Sequence, residues 1–408
     1  MSHSDVQPKH MIFHHPLPLP AEVNSGSRVR PLRLLDAFRA IGYEVTLVAG
    51  DGAERHAAMA GVRAQVAAGK RFAFLYAEPP NAPLLWLNRQ QPHRLQDFSL
   101  WRWCQAQGIP VGLFYRDVHW RFEQYRAVTS WQKRAALIPL YWVDWLSYGL
   151  YVDHLFLPSL GMAAHLPTRW PAVRLSALPP GCTISPGTGP AVGGPQSESP
   201  LGQAAAKAHE KPLRLFYVGG VQPPLYDLKP MFAAIEALAG VVLTVCCRPT
   251  EWAAVQEYYT PFDRTKIQIV HAQGEALAHY YREADLFGLF WRPNAYLDFA
   301  MPVKIFESLG YGVPIVTTAG TEAARFVANE GLGWVVADAA ELRTLLLHLR
   351  DLRAVVAEQR RRVEAARHRH TWQVRAQTVA DLLVNRGQPV ATNDARNSGG
   401  RSAWATED

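Results

Sequence analysis

Cysteine is scarce in this sequence of 408 residues: Cys104, Cys182, Cys246 and Cys247 are the only four, and none stands at a paired metal-ligand spacing. That argues against a zinc module or a disulfide framework, and the adjacent Cys246 and Cys247, inside an apolar run, read as reduced structural thiols. The stretch from Met1 to His10 lacks an apolar run followed by a small-residue cleavage site, so no secretory leader is read and a cytoplasmic location is expected. No clear Asp-x-Asp ligand pair is present, and no unit repeats at a fixed period, which argues against a solenoid. Charged residues make up only 19% of the chain against 49% hydrophobic. A chain of this length and composition holds two ordinary domains, each able to bury a core, and is too large for a single small binding module. The net charge of +7 suits an anionic partner, whether a nucleotide-sugar, a phosphate-bearing lipid, a membrane surface or nucleic acid, and does not choose among them.

Apolar runs alternate with helix-like segments from the start. MIFHHP reads as a strand, followed by a long Pro, Gly and Ser loop, a helix in RPLRLLDAFRAIGY and a strand in EVTLVAG. RFAFLYAEPP, PVGLFYRD and VDHLFLPSL continue the pattern, which predicts a parallel sheet covered by helices over residues 1–180. Residues 181–212 are rich in small and turn-forming residues without apolar periodicity, and read as a flexible linker. The alternation restarts at LRLFYVGG and runs to VPIVTTAG, giving a second doubly wound α/β domain over 213–340. Residues 341–384 are helical in pattern, and 385–408 read as a disordered tail.

Ligands of open parallel sheets bind beyond the carboxyl ends of the strands, so candidate residues are those that follow strands. The most informative stretch runs from Phe290 to Ala323, FWRPNAYLDFAMPVKIFESLGYGVPIVTTAGTEA. A strand leads into a loop, Pro302 suits the first turn of a helix, and Lys304 and Glu307 lie three apart on one helical face. A positive helix end, an ammonium and a carboxylate together suit a ligand with a diphosphate and a vicinal diol, as in a nucleotide-sugar. The bland reading of the same pair is a solvated surface ion pair. Gly219 and Gly220 follow a strand where a close backbone approach to phosphate is required. Lys229 and Arg292 are the nearby cations.

The segment MPVKIFESLGYGVPIV resembles the proline-x-lysine-x-phenylalanine-glutamate pattern, with its following glycine-x-proline strand, of retaining glycosyltransferases of family 4. The resemblance covers most of the chain loosely and is specific only from Pro302 to Val316. It implies the GT-B arrangement, two Rossmann-like domains facing across a cleft, with the nucleotide-sugar donor on the second and the acceptor on the first. It further implies that Glu307 binds the ribose hydroxyls, that Lys304 faces the diphosphate, and that no metal or other cofactor is needed. The family often carries a second glutamate eight residues upstream, for the transferred sugar. Phe299 stands at that position here, with Asp298 beside it as a candidate replacement through a one-residue shift; backbone N–H groups of the 298–302 loop are the alternative. Ser25 and Gly26, in the first long loop, resemble the family's glycine-bearing loop that faces donor phosphates and acceptor.

In the first half Asp117 and His119 directly follow a strand, and alternate residues of an extended loop point the same way. They suit general acid–base work on an acceptor hydroxyl, or equally a hydrogen bond that pins a loop. The apolar stretch from Leu137 to Leu157 is interrupted by Pro139, Asp144, Gly149 and Asp153, and reads as a buried or interfacial helix followed by a strand rather than as a membrane span. Tryptophans concentrate beside basic residues in this half, which fits peripheral contact with the inner face of a membrane and fits core packing equally. The arginine-rich C-terminal helices interleave Glu358 and Glu364, so a nucleic-acid partner is not expected. The expected activity is therefore sugar transfer from a nucleotide-sugar to a carbohydrate or lipid-linked acceptor, in polysaccharide or glycolipid assembly. The alternatives are a nucleotide-sugar epimerase of the same fold or a non-catalytic scaffold.

Overall fold

Helices and strands alternate through the computed structural model, which describes residues 9–19, 26–185 and 211–385. The first half runs β1 (Lys9–His15), α1 (Gly26–Ala40), β2 (Tyr43–Ala49), α2 (Gly52–Ala67), β3 (Phe72–Ala77), α3 (Leu84–Leu87), α4 (Gln96–Ala106) and β4 (Val111–Phe114). It continues with α5 (Glu123–Val128), α6 (Trp131–Tyr151), β5 (His154–Leu157) and β6 (Leu175–Ala177). The second half runs β7 (Leu213–Val218), α7 (Lys229–Glu236), β8 (Val241–Cys246), α8 (Pro249–Tyr259), β9 (Ile267–Val270), α9 (Gly274–Glu283) and β10 (Leu286–Leu289). After it come α10 (Val303–Gly310), β11 (Ile315–Thr318), α11 (Glu322–Asn329) and β12 (Gly333–Val336), then α12 (Ala339–Asp351), α13 (Arg353–Ala366) and α14 (Trp372–Val384).

Strands with helices on both sides must be apolar on both faces, and the central ones are. Every residue of β4, β5, β10 and β11 is buried. The first sheet is ordered β2-β1-β3-β4-β5-β6 and the second β9-β8-β7-β10-β11-β12, with all neighbours parallel. The order therefore reverses between β1 and β3 in one sheet and between β7 and β10 in the other, and those two points are where the carboxyl edges open a crevice.

The chain passes between the halves twice in one place. Residues 181–185, the start of the stretch read as a linker, pack against the C-terminal helices. Cys182 is buried, its N–H donates to the His370 carbonyl at 2.7 Å, and its carbonyl accepts from Trp372 N–H at 3.3 Å. Beyond that contact α14 returns to the first half. Its Trp372, Ala376, Val379 and Leu383 join Met11, Phe13, Leu34, Phe38 and Phe114 in one apolar cluster. The tail from 386 onward and the stretch 186–210 lie outside the described residues.

Gly181 is what lets the two backbones approach. A Cβ on Gly181 meets Trp372 N at 2.6 Å and Trp372 Cα at 2.7 Å, which are backbone atoms that cannot swing aside. Gly181→Ala is therefore expected to lower unfolding stability by about 1–3 kcal/mol, as overpacking does, read from urea titrations. An unchanged denaturation midpoint would show that the crossing is not tightly packed.

Candidate functional site

The second sheet's crevice is built from the loops after β7 and β10 and from the start of α10. Pro302 is the N-cap residue of α10, one position before the first turn where it was expected, with φ −67° and ψ 134°. Its fixed φ turns the chain out of the loop, and the free N–H groups of the first turn face outward from the helix start. Lys304 Nζ lies 3.0 and 2.8 Å from the two carboxylate oxygens of Glu307. Both side chains are about a quarter exposed (27% and 28%), so the pair is part-buried at the start of α10 rather than fully solvated. Glu307 Oε2 also accepts a 2.9 Å bond from the hydroxyl of Tyr281 on α9, a buried phenol whose pKa is pushed well up by burial and then by the Glu307 charge. Glu307 is thus held by a neutral donor as well as by the ammonium.

The glycine pair has a packing reason. Gly219 N–H donates to the Cys246 carbonyl at 3.1 Å, and the Gly220 carbonyl accepts from the Tyr217 hydroxyl. A Cβ on Gly220 meets the Tyr226 ring at 2.5 Å, and Tyr226 in turn packs on Trp291, with centroids 5.3 Å apart. Lys229 opens α7 with its ammonium 3.8 Å from the ring centre of Tyr258. Its N–H donates to Asp227 Oδ1 at 3.0 Å, while Arg292 Nε lies 3.7 Å from Asp227 Oδ2. Asp227 is therefore bonded by the Lys229 backbone N–H and approached by the Arg292 guanidinium, while the Lys229 ammonium rests on the Tyr258 ring.

Asp298 stands apart from this group. It is half exposed and ion-paired with Arg325 of α11 at 3.5 Å, and no contact brings it to Lys304 or Glu307. Asn294 organises the loop by accepting from the N–H groups of Tyr296 and Leu297, each at 3.0 Å. That turn carries Tyr296 and Phe299 across the cleft. Phe299 packs on Phe122 and His165 of the first half, at 5.6 and 5.1 Å between centroids, and its carbonyl accepts from the Ser159 hydroxyl at 2.7 Å.

Asp117 and His119 meet the second half directly. Asp117 Oδ2 accepts from the Tyr296 hydroxyl at 2.8 Å and from Asn81 Nδ2 at 3.2 Å, and Oδ1 accepts from the His119 N–H at 2.9 Å. Burial pushes the Asp117 carboxyl up against the pull of His119 and Tyr296, and burial pushes the His119 imidazole down against the pull of Asp117. Both shifts favour neutral forms, so His119 is set as an acceptor of protons rather than as a fixed cation. His119 Nε2 lies 3.3 Å from the hydroxyl of Tyr141 on α6. Tyr141, Asp117, Asn81, Tyr115 and Asp144 line a small pocket beside the cleft.

At the first sheet's reversal point Glu78 is fully buried and accepts from the Tyr76 hydroxyl at 3.0 Å and from Arg116 Nη2 at 2.9 Å. Arg30 Nε lies 3.4 Å from the same carboxylate, with its guanidinium carbon 3.7 Å from the ring centre of Phe114. Ser25 lies outside the described residues, and Gly26 is the first residue of α1. Sequence reasoning passed over Arg30, Glu78, Tyr281 and Tyr296. Only Tyr296 carried a signal, since it falls inside the informative stretch.

Asp144 supplies a pH test of this pocket. Its Oδ2 accepts from Leu84 N–H at 2.9 Å, and burial pushes its carboxyl up to about 7. The folded state then binds a proton that the unfolded chain releases near pH 4. Stability contributed at low pH is lost as pH rises from about 4 through about 7. Asp144→Asn is expected to flatten the fall in melting temperature between those limits; an undiminished slope would mean that another group titrates.

The profile of a family described as glycosyl transferase-like matches residues 229–381, which span α7 to α14 and include Lys229, Arg292, Lys304 and Glu307. WaaG, a glycosyltransferase involved in lipopolysaccharide biosynthesis, superposes with a TM-score of 0.51 at 16% identity, over 91% of this chain and 99% of that one. Anabaena Alr3699/HepE in complex with UDP-glucose gives 0.57 at 12%, over 92% and 99%. The lipopolysaccharide outer core galactosyltransferase WaaB gives 0.52 at 13%, over 92% and 99%. The chain shares their fold, the two-domain GT-B arrangement. A search of curated proteins finds no match to the sequence.

Proposed function

We propose that the protein is a glycosyltransferase that moves a sugar from a nucleotide-sugar, bound by the second half, to an acceptor hydroxyl presented by the first. The observation that carries this reading is the Lys304 and Glu307 pair at the start of α10, beside the point where the second sheet's strand order reverses. Glu307 has one oxygen bonded to Tyr281, and the other is available to ribose hydroxyls once Lys304 turns away. Turning costs little, because a part-exposed ion pair is worth about 0–1 kcal/mol, whereas an ammonium bonded to a diphosphate makes stronger charge-assisted bonds. Lys229 and Arg292 extend the same positive field along the phosphates. These cations, rather than a metal ion, neutralise the leaving diphosphate, so added chelator is expected to leave turnover unchanged.

The family 4 likeness supports transfer with retained anomeric configuration. In that chemistry the bond from the anomeric carbon to the phosphate oxygen breaks, the acceptor oxygen bonds to the same carbon, and the acceptor proton passes to the departing phosphate. Asp117 and His119 orient the acceptor hydroxyl for that step. A hexose is the expected cargo, and the acceptor is a carbohydrate or a lipid-linked sugar at the inner face of a membrane. UDP-glucose is the first donor to try, since a neighbour of the same fold was solved with it. No observation favours the epimerase or scaffold reading over transfer.

Thermal denaturation with a series of UDP- and GDP-sugars tests the donor half. A ligand at about a hundred times its dissociation constant adds about 2.7 kcal/mol, which is a clear shift in melting temperature. Glu307→Ala is expected to abolish that shift and, by leaving the buried Tyr281 hydroxyl without its acceptor, to lower the unliganded melting temperature at a cost of about 1–3 kcal/mol, whereas His119→Ala should keep the shift and lower turnover. No shift with any nucleotide-sugar, or an identical shift in Glu307→Ala, would refute the donor assignment.

A further inference from the structure

We propose that the outer face of α6 docks the protein on an anionic lipid bilayer. Every exposed residue from Ala135 to Leu150 is apolar, and the large ones form one stripe: Pro139, Trp142, Val143, Leu146 and Leu150 recur at intervals of three and four. Leu146 and Leu150 are 60% and 67% exposed, and Trp131 at the start of the helix is 67% exposed. The opposite face is fully used, since Leu137, Tyr141, Asp144, Trp145 and Tyr148 are buried against the first sheet's core. Scattered surface leucines need no explanation, but a continuous stripe along a helix of about 30 Å does.

Charge selects the occupant. The helix holds three charged residues, Lys133, Arg134 and Asp144, and the single acid is buried on the inner face. Lys133 and Arg134 lie at the amino end, with Arg126 just before them and its carbonyl bonded to Arg134 Nη1 at 3.3 Å. Residues 1–180 contain 19 Lys and Arg against 12 Asp and Glu, so the whole net charge of +7 belongs to this half. A stripe with tryptophans at its border and basic residues at one end matches the boundary between acyl chains and anionic headgroups. A second copy of the stripe offers those basic residues no carboxylate. The helix lies along the surface rather than through it, because no helix among the described residues is long and apolar enough to cross a membrane.

Docking in this pose gives the inner face a purpose. Tyr141, on that face, bonds His119 and lines the Asp117 pocket. The pocket then sits about one helix diameter, some 10 Å, above the headgroups, within reach of a sugar carried on a lipid. This last link rests on the transfer reading; the docking itself does not.

The full chain is to be floated with vesicles of phosphatidylcholine alone and with vesicles containing phosphatidylglycerol. Binding to the anionic vesicles is expected, with affinity at least about tenfold lower for the neutral ones, and Leu146→Glu with Leu150→Glu should lose at least about tenfold against the anionic ones. An unchanged melting temperature, and an unchanged shift with nucleotide-sugar, show that the double variant is folded. If no nucleotide-sugar shifts even the wild type, the transfer reading fails while vesicle binding still stands. The proposal is overturned if the wild type binds neither vesicle, if the double variant binds as well as the wild type, or if the protein is instead a dimer in solution that the double variant dissolves.

Discussion

Two backbones touch where Gly181 and Cys182 run beside Thr371 and Trp372, and the geometry of the cleft follows from that contact. The chain leaves the first sheet at Gly181 and comes back through α14, so each half contributes to the other's core. Because Trp372, Val379 and Leu383 are buried among first-half residues, the second half cannot drift away without exposing that cluster. At about 25 cal/mol per Å² of apolar surface, exposing even these three side chains costs several kcal/mol. The two crevices at the carboxyl edges of the sheets are therefore kept on facing sides by apolar burial, and the polar groups of the site need not supply that energy.

Much of this architecture was legible in the sequence because both sheets are buried on both faces. Strands such as VGLF and HLFL must then be continuous apolar runs, and helices between them must show a period near 3.6, so the alternation identifies each unit. Lys304 and Glu307 were legible for a related reason: three residues apart on a helix, two side chains have to lie on one face. Tyr281 was not, since it reaches Glu307 from α9, 26 residues away, and nothing local marks a buried tyrosine as a partner. Gly219 and Gly220 illustrate a different limit. A glycine pair after a strand announces close approach, but here the approaching group is the Tyr226 ring, which only the folded chain brings there. Lys229 likewise has a ring of α8 beneath its ammonium, a contact between elements that pattern reading does not supply.

Three carboxylates in the first half, the buried Asp97 and Asp144 and the part-buried Asp117, show how partners decide charge. Burial raises the Asp97 carboxyl, but His14 and the Arg55 guanidinium outweigh it and hold the group at about 2. Arg55 Nε donates to Asp97 at 3.1 Å, and its Nη1 donates to the carbonyls of Pro16 and Gly50, so this charged network fixes the loop after β1. Asp144 has no such cation, and burial takes it to about 7. Asp117 lies between these extremes, with a histidine and a tyrosine instead of an arginine, and its carboxyl is raised. A buried acid bonded by a histidine, a guanidinium and an amide together, as Asp97 is, stays charged, whereas one with fewer such partners, as Asp117 and Asp144 are, keeps a raised proton affinity.

The cleft side of the molecule is held differently from the crossing. There the Tyr296 hydroxyl bonds Asp117, the Ser159 hydroxyl bonds the Phe299 carbonyl, and Phe299 packs between Phe122 and His165. A hydrogen bond from a neutral hydroxyl to a carboxylate is worth roughly 1.5–3 kcal/mol at most, so an acceptor hydroxyl that takes Tyr296's place on Asp117 replaces like with like. Phe299 is harder to displace, since withdrawing a buried phenylalanine from its contacts costs about 1.5–3 kcal/mol with no polar group to compensate. Phe299, at the position where the family 4 resemblance implies a sugar-binding glutamate, thus joins the two halves across the cleft. Its place in the aromatic contact suits an apolar side chain: a glutamate there gives up the ring contacts with Phe122, His165 and Tyr296 and adds the desolvation cost of a buried carboxylate.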